Sequence, residues 1–425
     1  MVLRTPAAEP SAPAQPRGLQ AARPQLLRTL NEQLLLRHIR QVGPCSRAEL
    51  ARLSGLSKPT VSQALANVER SGLVREAGQR TGVPGRSAVL YEIRPDAGYV
   101  LGLDIGRDYL RGALADLTGS VIARSSERTK SGSVSGRVTE LTSLADSLCG
   151  AAGLTRAAVT QTVIGSPGVY DPRRNAIALA GDLAGLSKPS VLKRLRVAFG
   201  DALLLENDAD AASLAEREHG HGKDVRTFAF VWIGTGIGMG LIINGQLHRG
   251  VHGVAGEIAF MPITGGHDTD PDDARRRGLL EAAGSAAAVV RAARQAGMRG
   301  SLTARRVFEA AAAGDERAVR IVAGEADLVA RAVCAIVTVV DPELVVLGGG
   351  IGQAPGFAAA VALALRRFAP VIPELRVSAL GTSAVVDGCL ASGADLAWRR
   401  LTAQLAQAQA DQSPDGEHPS IPAAT

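Results

Sequence analysis

The residues best suited to chemistry form a glycine-rich stretch between two apolar runs. Within Phe228–Ile243 the two runs are separated by the sequence Gly-Thr-Gly-Ile-Gly-Met-Gly, which predicts two strands joined by a turn. Glycine permits positive φ and lets a ligand approach main-chain amides, which together form an anion-binding concavity. Four residues are therefore candidates for holding a phosphate: Gly234, Thr235, Gly236 and Gly238. The alternative is a tight hairpin that needs glycine only for its own geometry.

A second set of polar residues lies at the start of a predicted helix near the N-terminus. The order of helix, glycine-containing turn and helix is typical of a DNA-binding helix-turn-helix, whose second helix enters the major groove. We expect five residues of that helix start to face DNA: Ser57, Lys58, Thr60, Ser62 and Gln63. Gln63 could contact a base edge, whereas Lys58 and Thr60 suit phosphates. The alternative is a helical pair inside a larger helical domain.

The elements that would position these residues can be predicted from their capping signals. Apolar residues at helical spacing predict a helix over Leu26–Val42. Ser46 and Glu49 form a capping box at the start of a short helix, which Gly55 ends. Ser57 then caps a helix over Lys58–Ser71.

A wing is predicted after these helices. A strand at 72–76 is followed by a Gly-rich loop at 78–86 and a returning strand at 88–93. We expect Arg80 and Arg86 on this wing, where arginine can enter a minor groove or contact a phosphate. Residues 25–94 are thus predicted to form a winged helix-turn-helix, and residues 1–24, rich in Pro and Ala, a disordered leader.

Charge is distributed unevenly along the chain. Residues 1–95 contain 14 Arg or Lys against 6 Asp or Glu, whereas the remaining residues contain 33 against 35. A basic head on a nearly neutral body indicates a polyanionic partner for the head. The alternative is a solvated basic surface that has no partner.

Composition limits the class of protein. A hydrophobic content of 46% in 425 residues predicts a folded chain of two or three domains. Apolar runs are too short for a membrane span, and the N-terminus lacks the apolar core of a secretory signal. The four cysteines are scattered, so the sequence predicts a cytoplasmic protein without a disulfide framework or a CxxC metal site.

Further motifs follow the head in a fixed order. Asp104 ends the first strand of a predicted three-stranded meander, and Asn207-Asp208-Ala209 ends a later strand. The glycine hairpin, Ala255-Gly256-Glu257 and the sequence Leu347–Gly350 come next. In this order the motifs resemble the ROK family, which comprises repressors, open reading frames and kinases, over about residues 25–400. The resemblance implies a two-lobed, actin-like or sugar-kinase-like α/β body over 95–400. The composition of residues 401–425, with Gln, Ser, Pro and Ala, predicts a disordered tail.

The resemblance also implies roles for individual residues. In ROK kinases the aspartate that matches Asp208 is the general base that takes a proton from a sugar hydroxyl. Asn207, Glu257 and Glu281 match residues that bind sugar hydroxyls. The alternatives are an Asx cap for Asn207 and Asp208 and solvated surface for the glutamates.

Two departures from the family pattern are informative. The phosphate-binding turn Asp-Ile-Gly-Gly-Thr is replaced here by Asp104–Asp108, with Arg107 and Asp108 at its end. The family's zinc site is also altered, because Phe260 occupies its histidine position. Asp272, Ala274 and Leu279 occupy its cysteine positions, and His267 with the aspartates at 268–273 forms no usual zinc set. We expect no zinc, no other cofactor and a vestigial phosphate loop.

These observations predict a sugar-responsive transcriptional regulator of carbohydrate metabolism genes. Repression is its expected mode of action. Its expected partners are double-stranded operator DNA and a small sugar effector, and it is expected to act as a homodimer or a dimer of dimers. The main alternative is an active sugar kinase that carries a DNA-binding head. A third hypothesis is a regulator that responds to a phosphorylated sugar or to a protein.

Overall fold

Two units make up the described part of the chain. The structure is a computed structural model that describes residues 24–80, 88–171, 176–179, 183, 185–263 and 269–411. Contacts between residues divide the chain into these units. The first contains the residues up to Ile93 together with those from Gln404 onward, and the second is Arg94–Ala403. Arg86, predicted to contact DNA, and most of the predicted leader lie outside the described residues.

The N-terminal unit contains three helices and a three-stranded sheet. Its elements are α1 (Pro24–Val42), β1 (Cys45–Ser46), α2 (Arg47–Ser54), α3 (Lys58–Arg70), β2 (Val74–Arg80) and β3 (Ala88–Ile93). The strands are ordered β1-β3-β2, with antiparallel pairing throughout. Its core contains Leu35, Leu50, Leu65 and Tyr91, all fully buried. The predicted winged helix-turn-helix is confirmed.

The caps form where the sequence predicts them. The side chain of Ser46 accepts a hydrogen bond from the Glu49 amide, and the Glu49 carboxylate accepts one from the Ser46 amide. Gly55 takes a left-handed conformation with φ of 69°, which ends α2 at low conformational cost. Ser57 caps α3 by accepting from the Thr60 amide. Local sequence therefore sets the geometry of this helix pair.

The first lobe of the second unit surrounds a five-stranded sheet. Its elements are β4 (Tyr99–Ile105), β5 (Tyr109–Asp116), β6 (Val121–Arg128), α4 (Val134–Ala151), β7 (Gln161–Ser166), β8 (Val169–Asp171), β9 (Ala176–Ala178), α5 (Pro189–Phe199), β10 (Leu203–Asn207) and α6 (Asp208–His219). The strands of the main sheet are ordered β10-β7-β4-β5-β6. The meander β4–β6 is antiparallel, and β7 and β10 extend it in parallel.

The second lobe repeats this arrangement. Its elements are β11 (Phe228–Ile233), β12 (Ile237–Ile243), β13 (Gln246–Leu247), α7 (Pro271–Arg277), α8 (Leu279–Gly284), α9 (Ala286–Gln295), α10 (Ala304–Ala312), α11 (Glu316–Val340), β14 (Leu344–Gly348), α12 (Gly349–Gly352), α13 (Phe357–Leu365), β15 (Glu374–Val377) and α14 (Ala384–Asp411). The order β13-β12-β11-β14-β15 has the same pattern of antiparallel and parallel pairs. The predicted two-lobed α/β body is confirmed.

Helices α6 and α14 join the cores of the two lobes. One buried cluster contains Val163 of the first sheet, Phe230 and Val346 of the second sheet, Ala211 of α6 and Val385 of α14. Burial of these apolar side chains against both sheets stabilises the connection. The final helix thus returns to the first lobe.

The C-terminal boundary differs from the prediction. Helix α14 continues to Asp411, whereas the disordered tail was predicted from residue 401. Residues 401–411 contain only good helix formers such as Ala, Gln and Leu, apart from Thr402 and Asp411, so the polar composition that suggested disorder is also compatible with helix. No helix in the described part of the chain combines the length and apolar composition needed to cross a bilayer.

Candidate functional site

A cavity of about 770 Å³ lies in the second unit and is lined by both lobes. Its walls include every predicted sugar-binding and phosphate-loop residue: Asn207, Asp208, Glu257, Glu281, Gly234, Thr235, Gly236 and Gly238. The structure therefore brings together two sets of residues that come from four separate segments. The cavity is in the size range of ligand-binding pockets, roughly 300–1,000 Å³.

Asn207 and Asp208 lie where β10 ends and α6 begins. The Asn207 side-chain oxygen accepts from the amides of Ala209 and Asp210, at 2.9 and 3.1 Å, and its amide nitrogen donates to the Gly168 carbonyl. Asn207 is thus the Asx cap considered from the sequence. One oxygen of Asp208 accepts from the Ala209 amide at 2.8 Å. The other Asp208 oxygen has no hydrogen bond among the described residues and is open to a ligand.

Glu257 approaches from the second lobe. It immediately precedes a short 3₁₀ turn, Ile258–Phe260, and its backbone amide donates to the Val254 carbonyl at 3.2 Å. Within the described residues its carboxylate makes no hydrogen bond. Asp208 and Glu257 are therefore the two predicted sugar ligands with a carboxylate oxygen that accepts no hydrogen bond from the described residues.

Glu281 is already engaged. One oxygen accepts from the Ile237 amide at 2.8 Å, and the other accepts from the Arg277 guanidinium at 2.8 Å. Arg277 also donates to the Thr235 carbonyl. Glu281 thereby ties α8 to the glycine hairpin. A carboxylate can accept further bonds, so it remains able to contact a ligand.

The carboxyl groups of the cavity influence one another. Burial raises the pKa of Asp208 to about 7, and the nearby charge of Asp104 adds to the shift. Burial and the Glu281 charge raise the pKa of Glu257 to about 7. Burial also raises the pKa of Asp104 to about 6, although its ion pair with Arg111 at 3.1 Å opposes the shift. Near neutral pH these groups can both donate and accept hydrogen bonds.

Behind the cavity wall lies another buried carboxyl group. Asp210 is only 6% exposed, and its Oδ1 has no hydrogen-bond partner among the described residues. Burial and the neighbouring Glu206 raise the pKa of Asp210 to about 8. Glu206 itself forms an ion pair with Arg249, which links β10 of the first lobe to the loop after β13. Local sequence does not indicate this pairing, because Glu206 and Arg249 are 43 positions apart.

The hairpin glycines do not take the positive φ that was one of the two roles expected for them. Positive φ occurs beyond them, at Asn244 and Gly245, and at none of the glycines between Gly234 and Gly240. Gly240 instead lies against α6: a Cβ there would be 2.4 Å from the Ala209 carbonyl oxygen. Close packing between β12 and α6, and not turn geometry, is what requires glycine at this position.

The altered turn after β4 faces the same cavity. Arg107 and Asp108 are exposed and line it, and the carbonyls of Gly106 and Arg107 accept from Arg137. A side chain at Gly106 would place its Cβ 2.7 Å from the Tyr109 carbonyl oxygen. These contacts hold the backbone of the turn, and Asp108 adds a negative charge to the cavity lining. This charge disfavours a phosphate at the same place.

The side chains at the family's zinc positions do not fit zinc. Phe260, Ala274 and Leu279 offer no donor atom, and Asp272 lies in α7 beside Arg275. The described residues contain no group of three or more His, Cys, Asp or Glu side chains arranged for a metal ion. His267 lies outside the described residues. The absence of zinc remains a prediction.

The predicted DNA-binding residues occupy one end of α3. Lys58, Ser62 and Gln63 are exposed there. The hydroxyl groups of Ser57 and Thr60 are 2.8 Å apart and belong to the helix cap, so they are partly engaged. All five residues lie within a two-turn segment at the N-terminal end of α3.

The position of Arg80 differs from the predicted one. It lies in β2, which extends four residues beyond the predicted strand, and so is not on a loop. Its guanidinium pairs with Glu49 of the α2 capping box at 2.5 Å. A DNA contact by Arg80 would have to compete with this ion pair. Local sequence does not indicate the pairing, because its partners are 31 positions apart.

Family models match both parts of the chain. The ROK family model matches residues 100–395, and the MarR family model matches residues 29–86. The first match covers both lobes, and the second covers α2, α3 and most of the wing. The family matches thus divide the chain as the two units do.

Individual relatives match at lower identity. The chain is 28% identical over 245 residues to the xylose repressor of Bacillus spizizenii, covering 56% of this chain and 61% of that protein. It spans about three fifths of the length of the first curated relatives it matches. The xylose repressor of Caldicellulosiruptor bescii is 26% identical over 390 residues, covering 86% of this chain and 96% of that protein.

A solved structure has the same fold over most of the chain. It is a ROK family transcriptional regulator described as a homologue of the E. coli MLC protein. The TM-score is 0.72 at 23% identity, and the match covers 89% of this chain and 99% of that one. At this identity the likeness supports the fold alone.

Proposed function

The chain belongs to the ROK family, and we propose that it is a transcriptional regulator that binds operator DNA and senses a small sugar. The combination of a helix-turn-helix unit and a kinase-like cavity carries this proposal. The match to xylose repressors supports repression as the mode of action. A regulator of this kind acts in the cytoplasm, where its DNA is.

The N-terminal unit supports the DNA-binding role. Lys58, Ser62 and Gln63 are exposed at the start of α3, the end that contacts base edges in helix-turn-helix complexes. The positive charge of residues 1–95 favours a polyanion. A homodimer or dimer of dimers would present two such helices to successive major grooves.

The cavity supports the sensing role. Asp208 of the first lobe and Glu257 of the second have free oxygens, and both have a raised pKa of about 7. Mixed donors and acceptors from facing lobes suit the hydroxyl groups of a sugar. This pair of unused carboxyl groups is the observation on which the sugar proposal depends.

Sugar binding would act by favouring a closed arrangement of the lobes. A ligand that contacts Asp208 and Glu257 together binds better when they are close, so it shifts the population towards closure. Closure would then change the affinity of the dimer for its operator. The coupling is reciprocal, so operator DNA must change the affinity for the sugar by the same factor.

The test begins with an operator selected from a random duplex library by the full chain. Sugars, sugar phosphates and their mixtures with ATP are then titrated into the protein–DNA complex, with binding measured by fluorescence anisotropy. We expect at least one sugar to change DNA affinity. Asp208→Ala and Glu257→Ala should abolish this response and leave DNA binding intact, whereas the exposed control Glu127→Gln should retain both. A response only to sugar phosphates would support the third hypothesis, and no response to any of them would contradict sensing.

An active sugar kinase is the second candidate function. The pKa of about 7 at Asp208 is close to the value that suits a general base near neutral pH. Opposing it, Asp108 lines the cavity where the family binds phosphate, and like charges at contact distance repel by about 1–4 kcal/mol in water to intermediate dielectric. Arg107 would offset part of this repulsion.

Turnover of ATP separates the two candidates. We expect sugar binding with little or no formation of ADP in a coupled assay. Steady sugar-dependent turnover that Asp208→Asn abolishes would establish the kinase instead. Asp108→Thr, which restores the residue type of the family turn, tests whether this position limits phosphate binding.

A further inference from the structure

Two aromatic side chains are exposed, and both line the cavity. The chain has seven phenylalanines, two tryptophans and four tyrosines. All of them lie among the described residues, and only Tyr109 and Phe260 are exposed, at 42% and 41%. Tyr109 belongs to β5 of the first lobe, and Phe260 belongs to the second lobe. Open aromatic rings are thus confined to one cavity, with one contributed by each lobe.

The Tyr109 ring is held by its neighbours. The Arg111 guanidinium lies over one face, 5.1 Å from the ring centroid. Arg111 is in turn fixed by its ion pair with Asp104 at 3.1 Å. A cation–π contact on one face orients the ring and leaves its other face available.

The backbone of Phe260 is held from two sides. Gly256, with φ of 98°, lies so close to β12 that a Cβ would be 2.1 Å from the Met239 carbonyl oxygen. Gly278, with φ of 91°, packs equally closely on the Ala259 carbonyl. Phe260 ends the turn that follows Glu257, and both residues line the cavity.

An aromatic ring that is fixed yet uncovered gains free energy when a ligand covers it. Burying apolar area contributes about 25 cal/mol per Å². The cavity, at about 770 Å³, is several times larger than one sugar ring. A single sugar on Asp208 and Glu257 would therefore leave space beside Tyr109 and Phe260.

We propose that Tyr109 and Phe260 bind a second ring of the effector, which makes the effector a glycoside or disaccharide and not a free monosaccharide. This inference depends on the proposed sugar-sensing function. The polar ring of the ligand binds Asp208 and Glu257, and the apolar face of the second ring packs on the exposed aromatic side chains. The second ring is either a sugar unit or an aromatic aglycone, since both present a flat apolar face.

Contact with one ring from each lobe also strengthens the response. A ligand that reaches Tyr109 and Phe260 together stabilises the closed arrangement more than a ligand that reaches only the carboxylates. Its differential affinity for the closed state is therefore larger. The second ring is expected to increase the operator response as well as the affinity.

The experiment uses the full chain and matched ligands. Each of xylose, glucose, galactose and mannose is compared with a disaccharide of the same sugar and with its phenyl glycoside, by calorimetry and by operator anisotropy. The proteins are the wild type, Tyr109→Ala, Phe260→Ala, the ring-preserving Tyr109→Phe, and the control Leu363→Ala. Leu363 is exposed on α13 and does not line the cavity.

We expect one parent sugar for which a ring-bearing ligand binds about tenfold more tightly than the monosaccharide. Each alanine variant should lose that advantage and keep the monosaccharide affinity, while Tyr109→Phe and Leu363→Ala keep both. The disaccharide and phenyl arms show which kind of second ring is preferred. Equal affinity for monosaccharide and ring-bearing ligands, or equal losses for both in the alanine variants, would overturn the inference and leave sugar sensing intact. No binding by any ligand would refute sugar sensing itself.

Discussion

The carboxyl groups of the cavity differ in what already binds them. Glu281 is held by the hairpin and by Arg277, and Asp104 is held by Arg111. Asp208 and Glu257 keep free oxygens in a buried setting that raises the pKa of each to about 7. The first two groups therefore shape the site, and the second two are available to a ligand.

Asp210 makes the free energy of unfolding depend on pH. Its folded pKa of about 8 lies above the value of roughly 4 for an unfolded aspartate. The folded state therefore binds more protons across this window, and stability is lost as pH rises from about 4 to about 8.

We expect Asp210→Asn to reduce the loss of stability that occurs as pH rises. The amide has the same size and carries no charge, so it should stabilise the protein at pH 8 by about 1–3 kcal/mol and have little effect at pH 4. Denaturant unfolding at a series of pH values measures the difference. The exposed control Glu127→Gln should show the same pH dependence of stability as the wild type. If the free energy of unfolding of Asp210→Asn changes with pH in parallel with that of the wild type, Asp210 is not the group responsible.

Metal content is a second test at the residue scale. With Phe260, Ala274 and Leu279 at the family's zinc positions, purified protein should contain no stoichiometric zinc. Chelator should leave the melting temperature unchanged, and added zinc should not raise it. About one zinc per chain by plasma mass spectrometry would refute this, and His267 would then be the first ligand to replace.

At the scale of elements, capping residues also line functional surfaces. Asn207 caps α6 and lines the cavity, while Ser57 caps α3 at the proposed DNA face. Substitution of either residue would therefore perturb a helix start as well as a contact. Residues that are exposed and make no cap give clearer tests.

Helix α3 offers such residues. Lys58→Ala should weaken binding to all DNA sequences and reduce the slope of log affinity against log salt by about 1, because it removes one phosphate contact. Arg86→Ala is predicted to act in the same way. Gln63→Ala should instead reduce discrimination at one base position by about 1–3 kcal/mol.

Competitive anisotropy with operator and scrambled duplexes at several salt concentrations measures both effects. Lys193→Ala, an exposed lysine on α5, is the matched control and should behave as the wild type. Loss of sequence preference in Lys58→Ala without a change in salt dependence would reverse the two roles.

For the whole molecule, the two lobes have sheets with the same strand order, joined by α6 and α14. The candidate ligand groups come from both lobes and line one cavity, which is a common position for binding sites. A change in the arrangement of the lobes is then the simplest way for a small ligand to change the protein's affinity for DNA. The same arrangement serves kinases and regulators, so fold alone does not decide between them.

The proposed dimer predicts the symmetry of the operator. Selected DNA should contain a two-fold repeat with half-sites about one helical turn, or a multiple of it, apart. Light scattering should give a mass of two chains, or four, free and on DNA. A single asymmetric footprint bound by one chain would contradict the dimer.

The sequence by itself determined the local structure and the order of the parts. The capping box at Ser46, the left-handed Gly55 and the strand at Ala88–Ile93 all follow from neighbours a few residues apart. The order of motifs was enough to predict both the helix-turn-helix and the two-lobed body.

Only the tertiary structure decided which side chains meet. Arg80 pairs with Glu49 across 31 positions, and Tyr109 and Phe260 reach one cavity from different lobes. The need for glycine at Gly240 comes from α6, which packs on β12. Such contacts depend on how distant elements pack, and packing is set by the burial of apolar surface over the whole core, which no short window of sequence contains.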